Sequence, residues 1–325
     1  MTRKGQADAM ETRRDFIKKS VVVCAALSLP LPGVANGQTF HREFKTREPK
    51  RVLTLCYSQS GFSARYGKLI ACLLKDQGLA VELADMRRFD SKRLPDYDLI
   101  LVGSPVFYYD IPENVVDWLS SAPKLTGIPV AAFVSFGGPE GNQHNALCHA
   151  LHLLAEKEAV PVGMEAFRSI PSYPGSWDSA NQRSGEHLPD EATYNRVREF
   201  AKQIPEKVRQ GQSFSYSSEI ALREIVRMLP LVWLNKKAIG KHTVDGAKCI
   251  GCRTCVKMCP VGAIHPERQF VDQDKCIACF GCLNNCPADA VVVEYGGKKL
   301  YGFPEYLKRR KITILEPREF QHCKL

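Results

Sequence analysis

"KCIGCRTCVKMCP", Lys248 to Pro260, sets four cysteines at C-x2-C-x2-C-x3-C and follows the last with proline. Three chemistries use cysteines spaced this closely: a disulfide framework, a zinc site and an iron-sulfur cluster. The pattern returns in "KCIACFGCLNNCP", where Cys249, Cys252, Cys255, Cys259 and Pro260 recur as Cys276, Cys279, Cys282, Cys286 and Pro287, each 27 residues on. Ala263 and Ala290 keep the offset, as do Ile264 and Val291, so the segment is an internal repeat with two equivalent half-sites. Zinc usually takes two ligand pairs separated by a longer loop, whereas three cysteines two apart on one tight turn suit a cubane cluster.

The segment resembles the bacterial two-[4Fe-4S] ferredoxins, in which the fourth cysteine of each run ligates the other cluster. That resemblance implies Cys249, Cys252, Cys255 and Cys286 on one cluster and Cys276, Cys279, Cys282 and Cys259 on the second. Five cysteines remain: Cys24, Cys56, Cys72, Cys148 and Cys323. They share no spacing pattern, and Cys56, Cys72 and Cys148 read as small buried apolar residues without chemistry.

At 325 residues the chain is far longer than a ferredoxin, and a prior of about 150 residues per domain leaves room for a larger one. The formal net charge is +10, but residues 1 to 37 hold six Lys and Arg against three Asp and Glu, so a chain beginning at Gln38 would carry +7. Two cubanes with eight thiolates would remove about four more charges. With no basic-aromatic stripe, nucleic acid is not an expected partner.

The amino terminus reads as an address. "TRRDFIKKSVVVCAALSLPLPGVANG" opens with Arg13 and Arg14 and resembles a twin-arginine translocation signal. Its apolar stretch, Val21 to about Leu31, is short and broken by Pro30 and Pro32, which suits a signal segment rather than a spanning helix. Cleavage is expected near residues 35 to 38. The resemblance implies export of a protein already folded around its cofactors, hence a periplasmic location.

From Arg51 the chain alternates strands and helices, the pattern of a parallel sheet with crossover helices. "RVLTLCY" reads as a buried first strand, followed by Ser58, Gln59, Ser60, Gly61, Phe62 and Ser63 ahead of an amphipathic helix. Hydroxyls and free N–H groups at a helix start form an anion site, and the spacing resembles the phosphate loop of flavodoxins. A second strand-loop unit carries Ser104, Pro105, Val106, Phe107 and Tyr108, and a third carries Gly137 and Gly138. Their resemblance to flavin-facing loops implies FMN, with Tyr108 stacked on the ring and Tyr109 as second choice. The three loops fall beyond the carboxyl ends of the strands, where such sheets bind ligands. No G-x-G-x-x-G occurs, so no NAD(P) site is evident. His144, His149 and His152 read as structural, lacking an obvious carboxylate partner.

Arg51 to Val293 as a whole resembles the fused flavodoxin-ferredoxin proteins. The expected fold is a flavodoxin-like five-stranded parallel α/β sheet followed by a small α+β two-[4Fe-4S] ferredoxin domain. The expected divisions are 1–37 signal, 38–50 linker, 51–212 FMN domain, 213–244 helical linker, 245–295 ferredoxin domain and 296–325 basic extension. The resemblance implies electron transfer between FMN and two [4Fe-4S] clusters, with a redox protein or a membrane-associated electron-transfer complex as partner. A helix through 218–240, with Trp233 beside Lys236 and Lys237, could also rest on a membrane surface. No acid, base or nucleophile constellation marks a catalytic residue, and two other readings stay open. One is a flavin-dependent reductase of a quinone or other periplasmic acceptor, the other a flavin-free docking module for an iron-sulfur partner.

Overall fold

Two faces of one sheet bury two separate apolar clusters, and the period-2 alternation of the strands decides which side chain goes where. In the first strand, β1 (Arg51–Cys56), Leu53 and Leu55 point to one face while Val52 and Cys56 point to the other. Helix α1 (Phe62–Asp76) follows, then β2 (Ala80–Asp85), β3 (Leu99–Pro105), α2 (Glu113–Ser120), β4 (Pro129–Phe136), α3 (Gln143–Glu156), β5 (Val160–Arg168) and α4 (Glu191–Arg209). Strands β3 and β4 split in the same way: Ile100, Val102, Val130 and Val134 join one cluster, Leu99, Leu101, Ala131 and Phe133 the other. Helices α2 and α3 close the first face through Val115, Leu119, Leu147 and Leu151. Helices α1 and α4 close the second through Leu69, Ile70, Val197 and Ile204.

All five strands are parallel, in the order β2-β1-β3-β4-β5. This is the doubly wound order of the flavodoxin-like fold, with the switch point between β1 and β3. The computed structural model describes residues 43–138, 141, 143–177, 185–218 and 231–323. The export signal expected over 1–37, its cleavage point and the start of the linker at 38–42 lie outside the described residues, as does 219–230 of the expected linker helix.

The remaining part of that helix, α5 (Leu231–Ala238), leads directly into β6 (Ile239–Val244). Strand β6 pairs with β9 (Val291–Tyr295), so the second sheet begins six residues before the expected boundary at 245. The polar run "GKHTV" hides it, because a strand with one exposed face carries few apolar residues. Between them come α6 (Thr254–Met258), the short strands β7 (Ile264–His265) and β8 (Phe270–Val271), and α7 (Gly281–Asn284). With β10 (Lys298–Lys299) they form an antiparallel sheet in the order β10-β9-β6-β8-β7.

The extension from 296 onward returns to the first sheet instead of trailing into solvent. Helix α8 (Phe303–Arg310) buries Phe303 and Tyr306 against the α1/α4 face, where Tyr306 stacks on Trp177 with ring centroids 4.5 Å apart. Arg198 grips the Glu319 carboxylate at 2.7 and 3.0 Å, and Cys72 of α1 is joined to Cys323 by a disulfide. Cys72 is therefore not the inert apolar residue expected; its partner lies 251 residues away, where no local spacing could reveal it. Among the described residues no helix is long and apolar enough to cross a membrane. Both sheets belong to one compact unit, Gly37–Leu325.

Candidate metal centres and the adjoining cleft

The 27-residue repeat is written into the backbone as well as the cysteines. Gly251 and Arg253 take left-handed conformations, at φ 69° and 56°, and their repeat equivalents Ala278 and Phe280 do the same at 52° and 54°. Gly262 and Asp289 form a third such pair. Non-glycine residues seldom adopt positive φ, and strained backbone of this kind persists where a functional loop requires it. The carbonyl of Asp245 accepts from Cys249 N–H as that of Asp272 does from Cys276 N–H, each at 3.0 Å. Ala263 N–H donates to Cys259 Sγ and Ala290 N–H to Cys286 Sγ, each at 3.2 Å.

The folding of the two loops gathers eight thiols into two quartets, with the fourth cysteine crossing over. Cys249, Cys252, Cys255 and Cys286 line one small cavity with Ile250, Pro287 and Val291. Burial raises the Cys255 thiol pKa, and the nearby sulfurs of Cys286, Cys249 and Cys252 add to it. Cys252 is exposed, and hydrogen bonding to Thr254 lowers its thiol. The second quartet, Cys259, Cys276, Cys279 and Cys282, lies deeper. Burial pushes Cys279 up to about 12, with Cys276 and Cys259 beside it, and raises Cys282 well above its ordinary value. Buried thiols of this kind stay neutral on their own, and a bound metal would reverse their charge state.

Among the described residues no group of three or more His, Cys, Asp or Glu converges as it would on a single metal ion. A tetrahedral zinc site draws its four donors onto one ion, whereas a cubane spreads four thiolates over four irons. The donor set is all sulfur, in a shell of Val244, Ile264, Val291 and Val293. Such a set fits a [4Fe-4S] cluster.

The deeper quartet faces a cleft of about 400 Å³. One wall is made by the loops at the carboxyl ends of β1, β3, β4 and β5: Gln59 and Ser60, Pro105 to Tyr109, Ser135 to Gly138, and Ser169 to Tyr173. The opposite wall is Ala278, Cys279 and Phe280. Of the residues expected to meet a flavin, Gln59, Ser60, Pro105, Val106, Phe107, Tyr108, Gly137 and Gly138 line this cleft. Tyr108 and Tyr109 hold left-handed backbone, φ 50° and 71°. The Tyr108 hydroxyl donates to the Ala278 carbonyl at 2.7 Å, and burial raises its pKa far above the ordinary phenol value.

The other expected residues lie behind that wall. Ser58, Phe62, Ser63 and Ser104 are buried, and Gly61 caps α1 at φ 94°. The three serines of the loop do not converge: Ser63 Oγ pairs with Ser135 Oγ at 2.7 Å and Ser60 Oγ donates to Ser172 Oγ at 2.9 Å. Ser58 Oγ alone is buried without a partner among the described residues. The cleft thus has aromatic walls, and behind it one orphaned hydroxyl lies near the α1 amino terminus.

Several contacts escaped the sequence. Gln59 Nε2 reaches Cys279 Sγ at 3.4 Å, and His242 Nε2 lies 3.3 Å from Cys282 Sγ. Burial lowers the His242 pKa to about 4. His149, expected to lack a carboxylate, pairs with Asp110 at 2.9 Å and fixes the end of the Tyr108 loop. His144 meets the Ser217 carbonyl and His152 meets Glu156. Only the His152–Glu156 pair, four residues apart on α3, lies at a spacing the sequence shows; the other partners are brought together by the fold.

Residues 241–287 match the family model of the 4Fe-4S dicluster domain. No curated protein sequence matches the chain. Among solved structures, oxidised flavodoxin 1 from Bacillus cereus is 19% identical, with a TM-score of 0.39, over 48% of this chain and 97% of its own. Flavodoxin 2 from the same organism is 23% identical, with a TM-score of 0.39, over 49% of this chain and 99% of its own. Two-electron reduced Megasphaera elsdenii flavodoxin is 19% identical, with a TM-score of 0.36, over 48% and 98%. The flavodoxin-like assignment rests on strand order, and the iron-sulfur assignment on the family match and the cysteine geometry.

Proposed function

We propose that this protein is an exported electron carrier that passes electrons between FMN in the cleft and two [4Fe-4S] clusters held by the two quartets. The single observation that carries the reading is the shared wall: Cys279 belongs to the deeper quartet and also lines the cleft. A flavin accepts one or two electrons and each cubane carries one, so the pair would convert between the two kinds of traffic.

The chain's own residues do the positioning. Gln59, Tyr108 and the Ala278 carbonyl pin the cluster loop to the cleft, and the buried Tyr57 and Phe280 exclude water around it. Cys249, Cys252, Cys255 and Cys286 would hold the outer cluster, whose exposed Cys252 offers the shortest way out to a redox partner. Cys259, Cys276, Cys279 and Cys282 would hold the inner one.

Export is supported from an independent direction. Clusters of this kind need a reducing compartment for assembly, whereas disulfides persist in oxidising ones. A chain with eight cluster thiols and a Cys72–Cys323 disulfide is consistent with assembly inside and use outside the inner membrane. Anaerobic protein should contain about eight iron, eight sulfide and one FMN. Zinc in place of iron would remove the reading.

A second reading, a flavin-free docking module, is favoured by one observation: the hydroxyls of Ser60 and Ser63 already have partners. Protein with full iron and an empty cleft after incubation with FMN would select it.

A further inference from the structure

The inner quartet receives two side-chain donors that the cysteine loops do not supply. Gln59 comes from the loop after β1 and His242 from β6, yet their Nε2 atoms lie 3.4 Å from Cys279 Sγ and 3.3 Å from Cys282 Sγ. The outer quartet's donors, Ala290 N–H to Cys286 and Thr254 to Cys252, belong to its own loops.

Both inner donors are built in. Gln59 is 3% exposed, its Nε2 also lies 2.5 Å from Tyr57 Oη and 3.2 Å from the Met258 carbonyl, and its backbone carbonyl accepts from Asn285 Nδ2 at 2.7 Å. A methyl group on Gly281 would come within 2.6 Å of Gln59 Cδ, so the glycine makes room for this side chain. The other ring nitrogen of His242, Nδ1, is buried with no partner among the described residues. A single ring proton is therefore best placed on Nε2, aimed at Cys282.

We propose that Gln59 and His242 set the potential of the inner cluster. A cluster gains one electron and one negative charge on reduction, spread onto its sulfurs, and no proton need move. An N–H donor aimed at a ligand sulfur stabilises the reduced form more than the oxidised one. The two donors hold the inner potential above the value that burial alone would give. Because Gln59 also lines the cleft, the same residue ties that potential to the loop that faces the flavin. This rests on the assignment of Cys259, Cys276, Cys279 and Cys282 to one cluster.

The test is an anaerobic potentiometric titration with dithionite, followed by electron paramagnetic resonance, on full-length protein whose iron content has been measured. Replacing His242→Phe or Gln59→Met should each lower the reduction equilibrium of one cluster about threefold to tenfold, where tenfold is 59 mV for one electron. The other cluster should not move, and His242→Gln, which restores an N–H, should recover most of the shift. Should His242→Phe lose iron, Gln59→Met and Gly281→Ala, which pushes Gln59 aside, read the same quantity. Unchanged potentials in loaded variants, or equal shifts in both clusters, would overturn the proposal. Missing iron in the unmodified protein would instead reject the cluster assignment.

Discussion

The Tyr108 hydroxyl donates to the carbonyl of Ala278 across 2.7 Å, and through that bond a loop of the parallel sheet holds the loop that carries Cys276 and Cys279. The two residues are 170 positions apart. Their contact makes the cleft and the inner quartet one structure.

Tyr108→Phe removes that donor and leaves a carbonyl short of its partner, a loss of about 1 to 3 kcal/mol where the group stays dry. The packing against Tyr173 remains, with rings 6.4 Å apart. Thermal unfolding should report the loss while iron content stays constant. Tyr108→Ala should in addition weaken flavin binding and alter flavin fluorescence, measured by titration with FMN.

Gly281→Ala should displace Gln59 from Cys279, because the methyl group and the carboxamide cannot occupy one place. Overpacking of this kind costs about 1 to 3 kcal/mol. The double variant Gly281→Ala with Gln59→Ala should regain most of that stability, since contacting sites are not additive. Additive losses in a denaturant series would show that the two side chains do not compete.

Much of this arrangement was legible from the sequence, for physical reasons. Buried parallel strands such as "RVLTLC" and "LILVG" must be apolar on both faces, and a cluster demands its cysteines at fixed spacing. Strand β6 was hidden by one exposed face, and α8 by the charges of Lys308, Arg309 and Arg310 around the two aromatics it buries. The serine loop was readable as a loop but not as an arrangement. Whether Ser60 turns to a ligand or to Ser172 depends on a partner 112 residues away. Gln59 was read only as part of the serine loop and His242 carries no motif; only the fold brings them to sulfur.

The carboxyl-terminal strap gives a stability prediction. Cys323→Ser opens a cross-link between residues 251 apart, and disulfides of this type contribute about 2 to 4 kcal/mol. The midpoint of thermal unfolding should fall, and Arg310 and Tyr306 should lose protection near Glu186 in hydrogen exchange. An unchanged midpoint would mean that the ion pairs and Trp177 hold the strap alone.

The strap should also respond to acid. Arg198 holds the Glu319 carboxyl below its usual range, so the pair's contribution is complete above the unfolded glutamate value of about 4.3. It is lost as pH falls through the lower folded value. Arg198→Gln should remove that part of the pH dependence, seen as a flatter stability profile between pH 3 and 5, each limit being approximate.

The strap offers a test of the proposed export. Replacing Arg13 and Arg14 with lysine should leave a folded precursor inside the cell, with Cys72 and Cys323 open to alkylation because the cytoplasm keeps thiols reduced. Periplasmic delivery of that variant, with the disulfide closed, would rule out the twin-arginine route.

The central claim is that the inner quartet and the cleft exchange electrons through the wall they share at Cys279. Stopped-flow mixing of oxidised, FMN-loaded protein with a reduced viologen, without oxygen, tests it most directly by following cluster and flavin absorbance together. The account predicts that the clusters bleach first and that the flavin is then reduced at a rate independent of protein and viologen concentration, as an internal transfer must be. Flavin reduction whose rate rises in proportion to viologen, with the clusters lagging behind, would contradict it.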